Sequence, residues 1–523
     1  MSRKSYRGLL SEGKKSEERF MLGVDVGDHS SALAYFDAVR GLPETLDISG
    51  GYGKPTMPTA MRLTGDSGEW VFGEYALTAG SGENDVVISG LMKKLGQVEG
   101  FDINGRAAGV SELLPRFLRE LAANCRGINP KAEIAAICAC LPSYIGDGEM
   151  KEFSAAFERA GLKPALTSFV DNRVCAFSRF YFDREPEKEN LFLIDFGARE
   201  IRAGIYAAEP GEGTVNLDCL SSFFSAKLGA DVIDAAFTRL FTDIFLEKTG
   251  RAEDELSPHT REQLGVFAYQ HKDLCFQSNL ANSGRLKLYF SFCFPPFEAV
   301  VDKKRIDALV GPFRHKFEGF VREVFAKSLK PVSPALISRV ICVGGGFETL
   351  WARAAVKSIF GPDKAVFFKN SKTVQAEGAG LIAAGGLGAV SLPRISISDF
   401  HRIDADIGFE VREAGGGARF AALAERDSFW WWKRPGLVFV LAESTEKPVS
   451  VSVCKRSEGG GVSALGALEL AGLPKRPKGA TRLKLSLEFS GLGSFVVRAR
   501  DLGFGEMFPA SGFEKEYQVD FER

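Results

Sequence analysis

Apolar residues recur with two different periods along this chain. Up to about Leu387, runs of consecutive apolar residues, typical of buried strands, alternate with segments in which apolar residues recur every three or four positions. From about Ser391 the helical period disappears, and short alternating runs separated by Gly and Pro replace it. The first pattern predicts an α/β domain, and the second predicts an antiparallel β-sandwich of roughly 120 residues.

Individual elements follow from the same periodicity. It predicts a buried strand over Glu133–Leu141, before Pro142, and helices over 111–123, 148–160, 231–248, 313–329 and 373–384. Gly378 and Gly380 lie in the last of these helices and predict that it packs closely against a neighbour.

Two hairpins with the same plan stand far apart in the chain. Each consists of an apolar run, an Asp, an apolar residue, a Gly, a polar turn and a second apolar run. The two segments are LGVDVGDHSSALAYFD (22–37) and LFLIDFGAREIRAGIY (191–206). Gly at such a bend lets backbone N–H groups approach a phosphate, and the nearby Asp can hold hydrated magnesium. One such bend is usually only a turn, but two of them in order are more specific.

A third segment, RVICVGGGFETL (339–350), predicts a buried strand that runs into Gly344, Gly345 and Gly346 before a helix. Successive glycines at a strand end allow a nucleotide to lie close to the backbone.

Composition excludes several classes of protein. The 523 residues are 45% hydrophobic and 25% charged, which is typical of a soluble globular chain of two to four domains. The net charge of −1 argues against nucleic-acid binding. The charged start is not a secretory signal, and no apolar stretch is long enough to span a membrane, so we expect a cytoplasmic protein with a solvated tail.

The nine cysteines are expected to be reduced thiols of the core. Cys138 and Cys140 would share one face of a strand, but a metal site would need further ligands, and the five histidines are scattered.

The two hairpins, the Gly-rich strand end and the β domain together resemble the seventy-kilodalton heat-shock chaperone family of the actin-like ATPase superfamily. ICACLPSYIGDGEMKEFSAAFERAGL resembles its strand–proline–helix passage, and KLGADVID its Leu-Gly-Gly-x-x-Phe-Asp turn. LGALELAGLPKRPKGATRLKLSLEFSGLGSFVVRARDLGFGE is similar to the end of its peptide-binding domain.

This resemblance implies a two-lobed actin-like ATPase domain with duplicated mixed sheets and helices, followed by an all-β sandwich. The expected division is a flexible tail (1–19), the nucleotide-binding domain (20–387), a linker (388–400) and the sandwich (401–523).

The resemblance also implies ATP or ADP with Mg²⁺ as ligands. Asp25 and Asp195 would hold magnesium through water, and Lys93 and Asp195 would be the catalytic pair. Residues expected to contact the nucleotide are Gly27, Gly197, Tyr269, Lys272, Gly344, Gly345 and Gly346. The plain alternative for each is a structural role in a turn or core.

The chain departs from the family where hydrolysis is concerned. Asp28 and His29 replace two threonines of the first turn, and an additional carboxylate there repels a phosphate unless a cation offsets it. Asn172 stands at the family's water-positioning Glu, Arg202 at a catalytic Asp, and Glu348 at a base-packing Arg. Losing such carboxylates lowers the rate by about 10²–10⁴-fold each, so we expect at most a slow ATPase.

The sequence allows two interpretations of the roles of Arg199 and Arg202. They could act on phosphate charge as positive clamps, or they could pair with Glu200 or surface acids, which is the favoured alternative.

The β domain supplies candidate peptide contacts. Phe420, Val438 and Val449 align with the family's cleft residues, although alternating apolar residues in a sandwich are more often core. Trp430, Trp431 and Trp432 stand in a row and predict either an apolar contact surface or packing. No amphipathic helix follows the sandwich, so a member without the helical lid is expected.

The favoured function is therefore a chaperone-like ATP-binding protein that binds protein or peptide clients through a lidless β-sandwich. The alternative is a non-catalytic pseudo-ATPase scaffold with one dedicated protein partner. A sugar or acid kinase of the same superfamily is disfavoured by the C-terminal sandwich.

Overall fold

The structure is a computed structural model that divides into two compact units. It describes residues 19–49, 53–65, 67–78, 85–97, 100–128, 133–142, 145, 147–162, 166–272, 284–328, 330–398, 405–412, 418–426, 436–457, 460–491 and 494–520. The larger unit comprises residues 1–143, 147–218 and 224–398, and the smaller comprises 144–146, 219–223 and 399–523.

The strands up to residue 398 include several pairs of consecutive antiparallel strands. In chain order they are β1 (Arg19–Val26), β2 (Ser30–Asp37), β3 (Leu42–Thr45), β4 (Met57–Pro58), β5 (Ala60–Leu63), β6 (Trp70–Phe72), β7 (Val86–Ser89), β8 (Phe101–Ile103), β9 (Arg106–Ala108), β10 (Glu133–Leu141), β11 (Leu166–Asp171), β12 (Glu189–Phe196), β13 (Ile201–Gly211), β14 (Thr214–Ser225), β15 (Arg285–Phe290), β16 (Phe297–Asp302), β17 (Arg339–Val343), β18 (Ala365–Phe367) and β19 (Arg394–Ser398).

The α-helices lie between these strands. They are α1 (Glu74–Thr78), α2 (Val110–Ile128), α3 (Asp147–Arg159), α4 (Asn172–Phe182), α5 (Ala230–Thr249), α6 (Pro258–His271), α7 (Lys303–Ala326), α8 (Leu350–Phe360) and α9 (Val374–Gly386).

The larger unit contains two mixed sheets built on the same plan. Their strand orders are β11-β10-β1-β2-β3, with β4 on β2, and β18-β17-β12-β13-β14-β19. In each, the Asp-bearing strand is antiparallel to the next strand and parallel to a later one, β10 for β1 and β17 for β12. Asp25 and Asp195 therefore stand at equivalent positions of two similar sheets. The duplicated mixed sheets expected from the sequence are present.

Close backbone packing fixes α9 against the first sheet and α4. A Cβ on Gly23 of β1 would lie 1.9 Å from the Ala376 carbonyl oxygen, and one on Gly378 would lie 1.8 Å from that of Cys175. The region is a buried cluster that includes Cys138 and Cys140. Free thiols are found at seven described cysteines. Cys293 is partly exposed, and the others are buried: Cys138, Cys140, Cys175, Cys219, Cys342 and Cys454.

Two segments differ from the sequence-based expectation. The helix predicted over 313–329 begins earlier, because α7 starts at Lys303 and continues past Pro312 to Ala326. Its apolar face is buried on both sides of the proline, at Ile306 and Val310 before it and at Phe317 after it. Within the expected linker, Arg394–Ser398 form β19, parallel to β14 at the edge of the second sheet.

The smaller unit consists of two antiparallel four-stranded sheets, as the alternating pattern predicts. Its strands are β20 (Asp406–Arg412), β21 (Ala418–Ala424), β22 (Leu437–Val440), β23 (Ser450–Arg456), β24 (Val462–Glu469), β25 (Arg482–Gly491), β26 (Ser494–Asp501) and β27 (Glu514–Asp520). The sheet orders are β21-β20-β23-β24 and β22-β25-β26-β27. Phe409 and Phe439, one from each sheet, meet with ring centroids 5.7 Å apart.

In the part of the chain that the structure describes, none of the helices combines the length and hydropathy that a membrane span needs.

Candidate functional site

Both Asp-x-Gly segments form tight hairpin turns. Asp25 lies near the end of β1, and the Gly27 N–H donates to the Ser30 carbonyl over 3.2 Å. Asp195 lies near the end of β12, and the Gly197 N–H donates in the same way to Glu200 over 3.1 Å. A Cβ on Gly27 would lie 2.7 Å from the Ser30 oxygen, so this turn needs glycine.

The Gly-rich strand end lies directly against the second turn. β17 pairs with β12 so that Val343 stands beside Asp195. Gly344 follows with φ +93°, and a Cβ there would lie 2.6 Å from Asp195 Oδ1. A Cβ on Gly346 would run into the Phe196 ring. These glycines let two backbone segments and one carboxylate converge.

Asp25 and Asp195 repel each other in a partly buried site. Burial, together with the charge of Asp195, raises the pKa of Asp25 to about 7. Burial also raises the pKa of Asp195 to about 6, although Arg202 and a hydrogen bond from Gln375 oppose that rise. Two such carboxyls favour a proton or a cation between them.

The residues fit a hydrated magnesium ion. Two carboxylates, those of Asp25 and Asp195, can supply only part of an octahedral ligand set. A cation held there would keep most of its waters, as Mg²⁺ commonly does. Asp28 Oδ1 is buried and has no hydrogen-bond partner, so this oxygen offers a further acceptor to a water molecule or a cation.

Charges of both signs surround Asp28. Burial raises its pKa, Arg199 and Lys93 lower it, and Glu200 and Asp231 raise it. The pKa of Asp28 is raised overall, so Arg199 and Lys93 offset this additional carboxylate only in part.

Lys93, rather than Lys94, faces the turns. Lys93 Nζ lies 3.0 Å from Asp231 Oδ2, whereas Lys94 Nζ donates to the Gly100 carbonyl and lies over the Phe101 ring. Asp231 Oδ1 is also 3.6 Å from His29 Nδ1.

Tyr269 and Lys272 lie near one another at the end of α6. The Tyr269 hydroxyl donates to the buried Glu74 over 3.0 Å, and Lys54 Nζ bonds the same carboxylate over 2.6 Å. Lys272 pairs with Asp234 of α5. The His29 and Tyr269 ring centroids are 6.2 Å apart, so this group adjoins the first turn.

The residues that depart from the family pattern make internal contacts. Asn172 Nδ2 donates to Asp195 Oδ2 over 3.4 Å. Arg202 pairs with Glu200 and lies 5.0 Å from the Phe224 ring, so the favoured alternative holds for this arginine. Glu348 accepts from the Ser371 N–H over 2.8 Å.

The candidate peptide contacts differ in exposure. Val438 is 53% exposed on the edge strand β22, Phe420 is partly covered by the Arg456 guanidinium, and Val449 is 7% exposed. Val449 thus belongs to the core and is not accessible to a peptide in this structure. Trp430, Trp431 and Trp432 lie outside the described residues.

Sequence reasoning missed three polar residues that complete the site. Gln375 Nε2 donates to Asp195 over 3.1 Å, Asp231 binds Lys93 and His29, and Glu74 binds Tyr269 and Lys54. Asp231 could have been found from the sequence, because it lies in KLGADVID, a segment that resembles a turn of the chaperone family. Nothing in the local sequence marks Gln375 or Glu74.

Two family models match separate parts of the chain. The model described as "Domain of unknown function (DUF8552)" matches residues 402–521, and "Family of unknown function (DUF5716) C-terminal" matches residues 42–203.

Curated relatives match almost the whole chain. It is 23% identical to the chaperone protein DnaK of Thermosipho melanesiensis, over 97% of this chain and 83% of the relative. It is 22% identical to the DnaK of Thermosipho africanus, over 94% of this chain and 79% of the relative. This weak identity over nearly the full length supports a distant relationship to the seventy-kilodalton heat-shock chaperones.

Proposed function

We propose that this chain is a chaperone-like protein that binds adenine nucleotide with magnesium in the larger unit and protein segments in the smaller one. The observation that carries the proposal is the convergence of both Asp-x-Gly turns and Gly344 around the carboxylates of Asp25 and Asp195. The distant similarity to DnaK chaperones supports the same function.

Each part of the site has a role in this proposal. The ionised carboxylates of Asp25 and Asp195 hold magnesium through water, while the N–H groups of the turns and the Lys93 ammonium face phosphate oxygens. Tyr269 and Lys272 lie beside the nucleoside. Bound magnesium supplies the positive charge that the two buried carboxylates lack.

Titration calorimetry on the full chain tests nucleotide binding. Asp195→Asn keeps the shape and the acceptor for Gln375 but removes the charge, so magnesium-dependent ATP affinity should fall about tenfold or more. The matched control is Asp243→Asn, an exposed carboxylate on α5. Equal affinity in wild type and Asp195→Asn, or no binding by wild type at millimolar ATP, would refute the proposal.

We also propose that hydrolysis is slow or absent. Asn172 hydrogen-bonds Asp195, and Arg202 is held by Glu200, so neither position offers the carboxylate expected there. Asn172→Glu should raise turnover at least tenfold, because a positioned base typically contributes about 10²–10⁴-fold. Asn172→Gln, of equal size and no charge, should have no such effect. Fast turnover by wild type would contradict the proposal.

Client binding is proposed for the edge of the smaller unit. Val438 and Val440 are 53% and 52% exposed on β22, an edge strand whose backbone can pair with an extended segment. A panel of fluorescent apolar peptides tests this by anisotropy, with Val438→Asp as the weakened variant. Absence of binding by wild type across the panel would favour the scaffold with one dedicated partner.

A further inference from the structure

Three polar side chains, those of Asp231, Lys93 and His29, meet beside the first turn. The Asp231 carboxylate lies 3.0 Å from Lys93 Nζ through one oxygen and 3.6 Å from His29 Nδ1 through the other. The three side chains are 36%, 42% and 39% exposed, respectively. A solute that approaches the turns can therefore reach all of them.

The backbone holds Asp231 in this place independently of its side chain. Its N–H donates to the Ala198 carbonyl over 2.8 Å, and the Ala230 N–H donates to Gly197 over 3.0 Å. These bonds fasten the start of α5 to the second turn. A carboxylate at the first turn of a helix is also favoured by the helix dipole.

Asp231 therefore does in this structure what a bound phosphate would do. It supplies a negative charge beside the Lys93 ammonium and the His29 imidazole, which approach it from two other parts of the chain. A polyphosphate that enters the site must compete with this carboxylate for both groups, and it also meets the like charges of Asp231 and Asp28.

We propose, resting on the nucleotide binding proposed above, that Asp231 is a specificity-determining residue that competes with polyphosphate for Lys93 and His29. Its removal frees the Lys93 ammonium and the His29 imidazole and deletes one repelling charge. The resulting gain in affinity increases with the number of phosphates, so Asp231 lowers the ratio of ATP affinity to ADP affinity.

Calorimetric titration of the full chain with ATP, ADP and AMP measures this effect. Asp231→Asn should bind ATP about tenfold and ADP about threefold more tightly than wild type. The expected gain is no larger than this because exposed ion pairs are individually weak. AMP affinity should not change. Asp243→Asn, which removes an equal charge farther along the same helix, is the control and should bind like wild type.

A double-mutant cycle assigns the gain to the pair. In the background Lys93→Met, the change Asp231→Asn should lose most of its benefit, because the cation that it frees is absent. Thermal melts should show that each variant is folded. If wild type binds ATP, the inference is wrong when Asp231→Asn binds it no more tightly, or when the full gain persists without Lys93.

Two further measurements separate this inference from nucleotide binding itself. Tripolyphosphate carries the charge without the nucleoside: a gain for tripolyphosphate in Asp231→Asn, with no ATP binding in any variant, would refute nucleotide binding but uphold the role of Asp231. Without any ligand, acetylation of Lys93 followed by mass spectrometry should be severalfold faster in Asp231→Asn than in wild type. No binding of either ligand, or an unchanged labelling rate, would overturn the inference.

Discussion

At the scale of single residues, this site is defined by carboxylates whose pKa is raised by burial. Asp25 and Asp195 are close enough to repel each other, and Asp28 Oδ1 is buried without a hydrogen-bond partner. Such groups are under electrostatic strain in the ligand-free protein, and a bound cation relieves it.

Loss of the proton from Asp25 should lower the stability of the ligand-free protein at high pH. Its folded pKa of about 7 exceeds the ordinary value of 3.8, so its contribution to stability is fully present below about pH 4 and is lost as pH rises through 7. Asp25→Asn should therefore raise the melting temperature by about 2–4 °C at pH 8 and change it little at pH 4.

Thermal melts in EDTA, without nucleotide, measure this difference. Asp243→Asn serves as the control. A lower melting temperature of Asp25→Asn at pH 8 would show that the ionised carboxylate is already compensated in the ligand-free protein. Magnesium nucleotide should bind more tightly at pH 8 than at pH 6, because it requires the ionised carboxylates.

At the scale of elements, the fit of α9 against α4 and β1 holds the site together. Gln375, on α9, and Asn172, on α4, both hydrogen-bond Asp195. Glycines allow the close approach that brings these side chains to the carboxylate.

Gly378→Ala should disturb this packing strongly. Its Cβ would lie 1.8 Å from the Cys175 carbonyl, so the helices must separate, and we expect a loss of about 2–4 kcal/mol in the free energy of unfolding. Gly380→Ala on the same helix is the matched control, because its Cβ finds atoms only at 3.5 Å. Denaturant titration followed by circular dichroism compares them; equal stability of the two variants would contradict the packing argument.

At the scale of the whole molecule, the smaller unit has a buried ion pair of its own. In the smaller unit, Arg476 forms two hydrogen bonds of 2.8 Å with Asp501, and both side chains are buried. Asp501 also accepts from the N–H groups of Gly503 and Ser511 over 2.9 Å. This pair closes the loop that follows β26.

The fragment 399–523 should fold by itself and unfold cooperatively in urea. Asp501→Asn should destabilise it by about 3–5 kcal/mol, since it leaves Arg476 buried without its charge partner. Glu516→Gln, at the exposed pair with Arg498, is the control and should change stability by less than about 1 kcal/mol.

The hydrogen bonds from Arg476 and Ser511 hold the pKa of Asp501 far below its usual range, against the effect of burial. The stabilisation is therefore present above about pH 4 and is lost as pH falls below that value. A fragment without a cooperative transition, or one equally stable with Asp501→Asn, would contradict this description.

The sequence by itself determined the repeated plan. Alternation and apolar runs are local properties, so the strands ending in Asp25 and Asp195, the turns at Gly27 and Gly197 and the antiparallel C-terminal sheets could all be predicted. The same local pattern predicts the strand that runs into Gly344, but only the family resemblance implied that this glycine lies beside the turns.

The tertiary structure alone decided which polar groups complete the site. Lys93 and Asp231 are 138 residues apart, and Gln375 and Asp195 are 180 apart. Lys93 and Lys94 are adjacent and alike in sequence. The orientation of the short 3₁₀ helix Leu91–Lys94 directs Lys93 to Asp231 and Lys94 to Gly100. Pairing over such separations depends on how whole elements pack, because a side chain reaches only a few ångströms beyond the backbone that carries it.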